Sequence, residues 1–156
     1  MRWTTAVLTA LLLGAGGATA YAGTSPSPTP GYSATGSWQL LAEVNQHRRA
    51  MGLRALAVDS RLAGIARSWA DHMVATGTLA HNDAFFSTSS HRALGMRALG
   101  ENVGWNYSVS AQGDAFLHSP GHRANIENGS FTVAGFAVVR GPDGRIWSVE
   151  DFGAPA

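Results

Sequence analysis

The sequence contains no cysteine and no lysine. Without cysteine, the chain can form no disulfide bond and carry out no thiol chemistry. All 11 cationic residues are arginine, and 10 acidic residues nearly balance them. A chain of this composition has no basic surface of the kind that binds nucleic acid or anionic lipid. We therefore expect no nucleic-acid partner.

Two catalytic signatures are also missing from the sequence. Neither H-E-x-x-H, which is typical of zinc proteases, nor G-x-S-x-G, which is typical of α/β hydrolases, occurs. Their absence argues against these two enzyme classes and leaves other hydrolytic chemistry open.

No apolar run reaches the ~18–20 residues that a membrane-spanning helix needs. The apolar stretch at residues 6–15 follows Arg2 and precedes small residues that offer a cleavage site after Ala20 or Ala22. This order is typical of a secretory signal peptide. We predict a signal peptide over residues 1–22, secretion to the extracellular space, and no stable membrane span after cleavage. An uncleaved membrane anchor is the alternative interpretation.

Residues 23–36 are rich in Ser, Thr, Pro and Gly. Alternating prolines favour an extended, solvated chain and cannot donate to a sheet. We therefore predict a linker without fixed structure up to about Ser37. The remaining residues, 37–156, are numerous enough for one domain with its own core.

The first part of this domain has helical periodicity. Apolar residues repeat at helix spacing from Ser37 to a C-cap at Gly52, and again from Asp59 or Ser60 to about Thr76. A short helix at residues 91–98 and a third helix at 111–118, capped by Ser110, are also predicted. In the first helix, the pattern places three polar residues on or near the polar face: Asn45, Arg48 and Arg49.

The last third of the domain has strand periodicity. Two apolar, partly alternating runs at residues 131–140 and 145–152 flank the turn sequence Gly-Pro-Asp-Gly, which predicts an antiparallel hairpin. A further strand is expected from Gly100 through Trp105. Helices followed by a closing hairpin predict an α+β fold.

A corner in the chain carries the first candidate site residue. Pro120 disfavours helix at Ser119, so the third helix ends there, and we expect Gly121 to adopt a backbone conformation that other residues avoid. His122 follows this turn. His81 and Glu101 also lie in apolar surroundings. We predict that the fold brings His81, Glu101 and His122 into one pocket.

The chemistry of these three side chains suits a metal ion. Two neutral imidazoles and a carboxylate are a plausible ligand set for Zn²⁺ or another divalent ion, with the fourth position open to water. A hydrogen-bonded cluster without metal is the alternative. The helix break separates His118 from His122, so we place His118 outside the ligand set. We expect no partners for the remaining histidines: His47, His72 and His91.

Several motifs resemble the CAP superfamily, which contains cysteine-rich secretory proteins, antigen 5 and plant pathogenesis-related proteins. They occur in the family's order over about residues 40–153, and the resemblance is to its bacterial SCP-like extracellular branch. The motifs are Asn45-x-x-Arg48-x-x-x-Gly52-Leu53, His81, Gly100-Glu101-Asn102 and Ser119-Pro120-Gly121-His122-Arg123-Ala124-Asn125-Ile126. The resemblance implies secretion, a three-layer α-β-α sandwich, and a surface cleft lined by two histidines and usually two acidic residues.

Three positions match the family's cleft residues: His81 and His122 the two histidines, and Glu101 one acid. The second acid has no clear counterpart, since the nearest register puts Ser119 there. Asn102, Ser119 and Arg123 are the other expected cleft-lining residues, although Arg123 could instead bond the turn backbone. Ser119 as a nucleophile would need a base and an oxyanion site, so we interpret it as a cap or turn residue.

Two main functions remain open at this point. The first is a secreted binding module, similar to CAP proteins that bind sterol, lipid or other ligands, whose partner here would be an extracellular ligand such as a lipid or a cell-wall component. The second is a metal-assisted extracellular hydrolase of cell wall or protein, with Glu101 as the catalytic base. A structural or adhesive role is also compatible with the sequence.

Overall fold

A computed structural model describes residues 31–156. The predicted signal peptide (1–22) and the first part of the predicted linker (23–30) lie outside the described residues. The elements, in chain order, are β1 Gly31–Tyr32, α1 Ala34–Ala50, β2 Ala57–Val58, α2 Ser60–Thr76, a 3₁₀ turn Asp83–Phe86, α3 Thr88–Leu94, β3 Met96–Asn106, α4 Val109–His118, α5 Pro120–Ile126, β4 Val133–Arg140 and β5 Ile146–Pro155.

The strands form a mostly antiparallel sheet in the order β1-β4-β5-β3, and β2 adds in parallel to β4. Helix α2 packs on one face, where Ala66, Ala70 and Met73 meet Val103 and Val149. On the other face, α1, α4 and α5 cover a core that includes Leu40, Phe116, Ile126, Phe136 and Phe152. The predicted α+β fold with three α-β-α layers is confirmed.

The domain begins earlier than the sequence predicted. Tyr32 pairs with Val139 of β4, and the Ser33 hydroxyl accepts from the Gly36 N–H at 3.0 Å and caps α1. The prediction of no fixed structure before Ser37 is therefore wrong for residues 31–36. The physical reason is that the prolines end at Pro30, so the backbone donors beyond it are free to pair.

The second helix and the closing hairpin are confirmed. The Asp59 side chain caps α2, and Gly77 ends it in the left-handed region. In contrast, the short helix lies at 88–94 rather than 91–98, because Gly95 has a φ of 64° and the chain enters β3 at Met96. The cap of α4 is Ser108 rather than Ser110.

The bend before His122 has a different origin from the one predicted. Ser119 is extended, as expected for a residue before proline, and Pro120 is the first residue of α5. Gly121 has no positive φ, and a Cβ added there would meet nothing within 4 Å. The prediction that Gly121 needs a special conformation is therefore wrong.

The prediction that Arg48 lies on or near a polar face is also wrong. Arg48 is fully buried, and its guanidinium donates to the carbonyls of Arg54, Ile126, Asn128 and Phe131 at 2.7–3.0 Å. The neighbouring Asn45 side chain bonds both the N–H and the carbonyl of Leu56. These two motif residues therefore hold the loops around α1 and the end of α5 in place.

Candidate functional site

Glu101 lies on β3, the strand at one edge of the sheet. Side chains alternate along a strand, so Glu101 shares the α2 face with Val103, and its side chain is buried. Burial raises the pKa of Glu101. Hydrogen bonds from the Asn82 N–H and the His81 imidazole lower the pKa and offset part of this rise. A buried acid at a sheet edge is costly unless it has partners.

His81 is the first partner of this acid. Its Nδ1 lies 2.8 Å from Glu101 Oε1, and that same oxygen accepts the Asn82 N–H at 2.9 Å. The His81 side chain is 53% exposed, whereas the Glu101 side chain is 0% exposed. A buried carboxylate thus orients an exposed imidazole and leaves its Nε2 for an external ligand.

His122 approaches from the other side of the sheet edge, on α5. Its ring packs against Phe116 at 4.8 Å between centroids. Burial lowers the pKa of His122, and the charge of nearby His81 lowers it further. Because both effects favour the neutral imidazole, His122 is available as a ligand or an acceptor near neutral pH.

A network of amides fixes α5 on β3. Asn102 Nδ2 donates to the backbone oxygen of His122 at 3.1 Å and to Glu150 at 2.8 Å. Asn125 donates to the Glu101 carbonyl and to the Asn102 side chain. Since Asn102 is fully buried, it joins α5 to β3 from within the core and fixes the backbone that carries His122.

The structure gives two other predicted cleft residues no polar role. Ser119 is half-buried and makes no side-chain cap bond, and Arg123 is exposed. His118 is exposed, and its Nδ1 hydrogen-bonds the Asp114 carbonyl of its own helix. The other histidines do have partners, contrary to expectation: His47 meets Glu127, His72 stacks on Trp69, and His91 contacts the Met96 carbonyl.

The fit to a metal ion is partial. Within residues 31–156, no three metal-ligating side chains come together. The reason is that Glu101 turns one oxygen to His81 and Asn82, and the other oxygen is buried. The imidazoles of His81 and His122 remain as candidate metal ligands, and the Glu101 carboxylate lies behind the His81 ring. The three-residue metal site therefore stays a prediction.

A second buried acid, which the sequence did not indicate, lies beside Glu101. Asp151 of β5 lies directly opposite Glu101 in the sheet register, and neither of its oxygens has a hydrogen-bond partner. Burial raises its pKa well above the usual value, and the Glu101 charge raises it further. The available signal was the polar pair at residues 150–151 inside an otherwise apolar strand, but only the register places Asp151 next to Glu101.

Comparison with known proteins gives a family match. The model of the CAP family, described as the cysteine-rich secretory protein family, matches residues 41–152. This range covers most of the domain and contains all three predicted site residues. The chain belongs to the CAP family. The search of curated proteins finds no match.

Solved structures share the fold. An outer surface protein of Borrelia burgdorferi has 20% identity and a TM-score of 0.71, over 82% of this chain and 100% of its own. An extracellular SCP-domain protein of Bacillus anthracis has 24% identity and a TM-score of 0.62, over 76% of this chain. A cysteine-rich secretory protein of Staphylococcus aureus has 21% identity and a TM-score of 0.62, also over 76%. This chain spans only 40% and 38% of the Bacillus and Staphylococcus chains, respectively.

Residues 31–156 contain no helix with the length and hydropathy required to cross a membrane.

Proposed function

We propose that this chain is an extracellular ligand-binding module and that His81, Glu101 and His122 form its binding cleft. Export is supported by the signal-peptide pattern at residues 1–22. It is also supported by three proteins of similar structure, which are an outer surface protein, an extracellular protein and a secretory protein. One observation carries the site proposal: a fully buried carboxylate holds an exposed imidazole. Folding gains little from this arrangement, because burying a charged group is costly, whereas ligand binding gains a fixed donor.

A divalent ion such as Zn²⁺ would be held by His81 Nε2 and by His122, with water completing its coordination. Glu101 would act behind His81, because metal-ligating histidines commonly pair their other ring nitrogen with a carboxylate. In this interpretation Glu101 fixes the ring orientation of His81 rather than binding the ion.

The zinc proposal predicts a specific pattern of binding. Calorimetric titration of Zn²⁺ should show binding to wild type, and His81→Ala or His122→Ala should each weaken it by at least about tenfold. Affinity should fall as pH drops from about 7.5 to about 5.5, because protons compete for the imidazole nitrogens. His118→Ala is the matched control and should change little, since that ring bonds only its own helix. No binding by wild type, or loss of binding in His118→Ala alone, would show that the site is assigned wrongly.

The hydrolase alternative has one observation in its favour. A carboxylate that orients an imidazole is the base half of a hydrolytic triad. A nucleophile is also needed, and among residues 31–156 no hydroxyl hydrogen-bonds the His81 or His122 ring. We therefore rank binding above hydrolysis.

Glu101→Gln separates these two functions. If the cleft only binds, neither wild type nor Glu101→Gln should turn over peptide, ester or glycan substrates. The variant should still bind Zn²⁺ about 10–100-fold more weakly, because its amide orients His81 less well than the carboxylate does. Substrate turnover by wild type that disappears in Glu101→Gln would favour the hydrolase and overturn our ranking.

A further inference from the structure

We propose that an exposed aromatic surface at the end of β3 binds a neutral polysaccharide and extends the His81–Glu101 cleft into one continuous site. We call Trp105, Tyr107 and Arg145 the aromatic platform. The proposal rests on the proposed function, because it assumes an extracellular binding module, and it names the class of ligand that such a module would take.

The platform exposes two large rings side by side. Trp105 is 41% exposed and Tyr107 is 68% exposed. Their centroids are 6.2 Å apart and their planes meet at 83°, so the rings form a corner. A single exposed aromatic residue needs no explanation, but adjacent exposed rings point to a contact surface.

The platform is held in place before any ligand arrives. The Arg145 guanidinium lies 4.8 Å from the centroid of the Trp105 ring and 5.1 Å from that of the buried Trp147 ring. The Arg145 Nε in turn donates a hydrogen bond to the Asp143 carboxylate at 2.5 Å. A ring fixed in this way loses little conformational freedom on binding, so more of the contact energy remains as affinity.

The charge of the platform selects the class of ligand. Asp143 balances Arg145, so the platform attracts neither the phosphates of nucleic acid nor another polyanion. Aromatic and polar groups lie together here: the Trp105 ring has the Tyr107 ring on one contact and the Arg145 guanidinium on another. A pyranose ring has a flat C–H face and a rim of hydroxyls, which matches this combination of stacking and hydrogen bonding.

The position of the platform explains why the ligand should be a polymer. Trp105 lies opposite Trp147 in the register, and Trp147 packs on the α2 face with Val103. By strand alternation, Glu101 and Trp105 therefore share a face and lie four residues apart, or ~14 Å along β3. One sugar cannot reach both His81 and Trp105, whereas an extended chain along the sheet edge can.

A second exposed aromatic pair supplies matched controls. Trp38 is 61% exposed and Tyr32 is 40% exposed, and Arg67 stacks over Tyr32 at 4.3 Å. This pair has similar chemistry, but Tyr32 is on β1, three strands across the sheet from Trp105, and Trp38 is on α1. Neither residue lies along β3 between Trp105 and Glu101, so neither should contribute to binding.

The test is co-sedimentation of the full chain with two insoluble neutral polysaccharides, chitin and cellulose. Wild type should bind at least one of them, and Trp105→Ala and Tyr107→Ala should each weaken that binding by about tenfold or more. Tyr107→Ala keeps the test valid if Trp105→Ala does not fold, since Tyr107 is mostly exposed. Trp38→Ala and Tyr32→Ala should bind like wild type, and binding should persist at ~1 M NaCl because stacking is not screened by salt.

Several results would overturn the inference: no sedimentation of wild type with any polymer, equal loss in Trp38→Ala, or loss of binding at high salt. If His81→Ala abolishes binding while both platform variants bind normally, the cleft alone takes the glycan. The platform proposal then fails and the proposed function stands. If both platform variants weaken binding but wild type takes up no Zn²⁺, the metal interpretation of the cleft fails and the platform proposal stands.

Discussion

Arg48→Ala should destabilise the domain by ~2–6 kcal/mol, a large share of the ~5–15 kcal/mol that folds a typical domain. The Arg48 side chain bonds four backbone carbonyls, and its bonds to Ile126 and Phe131 are buried. Alanine would leave these acceptors without their charged donor, and each unsatisfied buried group costs ~1–3 kcal/mol. Urea denaturation followed by circular dichroism measures the difference.

Arg49→Ala is the control for this prediction. Arg49 is the next residue in α1 and is exposed, so its removal should change stability by no more than ~0.5 kcal/mol. Arg48→Lys should recover only part of the loss, because one ammonium group cannot reach four carbonyls in a planar fork. Equal urea midpoints for Arg48→Ala and Arg49→Ala would show that the buried network does not stabilise the fold.

Gly135→Ala should be comparably damaging, for a steric reason. Gly135 lies in β4 beneath the first turn of α2, and a Cβ there would be 1.9 Å from the Ala63 backbone nitrogen. Backbone cannot rotate away as a side chain can, so α2 would have to move off the sheet. We expect a loss of ~3 kcal/mol or more, at the upper end of the usual cost of overpacking.

Gly64→Ala tests the same helix with the opposite sign. Gly64 lies in α2, and a Cβ there would meet nothing within 4 Å. Alanine should therefore stabilise the helix by ~0.5–1 kcal/mol. Thermal melts of both variants decide the matter: if Gly135→Ala melts at or above the wild-type temperature, the close approach of α2 to β4 is wrong.

The environments of Arg48 and Gly135 could not be predicted from local sequence patterns. Helical periodicity placed Arg48 on or near a polar face, since a charged residue is seldom buried without an acid. Within residues 31–156 Arg48 makes no ion pair, and backbone carbonyls from distant loops satisfy it instead. Those loops come together only when α5 and β4 pack against α1, which no local pattern records.

For the candidate site, too, the sequence indicated some features and only the structure gave the others. The motifs around His81, Glu101 and His122 selected these residues as candidates, because two are polar side chains in apolar segments and His122 follows a break between two helices. The roles of the residues were not accessible from the motifs. Glu101 was predicted as a ligand, but the fold directs its Oε1 to His81 and Asn82, since the loop that carries both residues packs over β3.

By itself, the sequence determined the family, the α+β class, the second helix and the closing hairpin, and it selected three residues as candidates for the site. These features depend on local propensity, periodicity and motif order, which are properties of short segments. Only the tertiary structure decided the burial of Arg48, the close packing at Gly135, the pairing of Glu101 with Asp151, and the shared face of Glu101 and Trp105. Each of these depends on strand register or on helix-to-sheet distance, because contacts between residues far apart in the chain are fixed by packing.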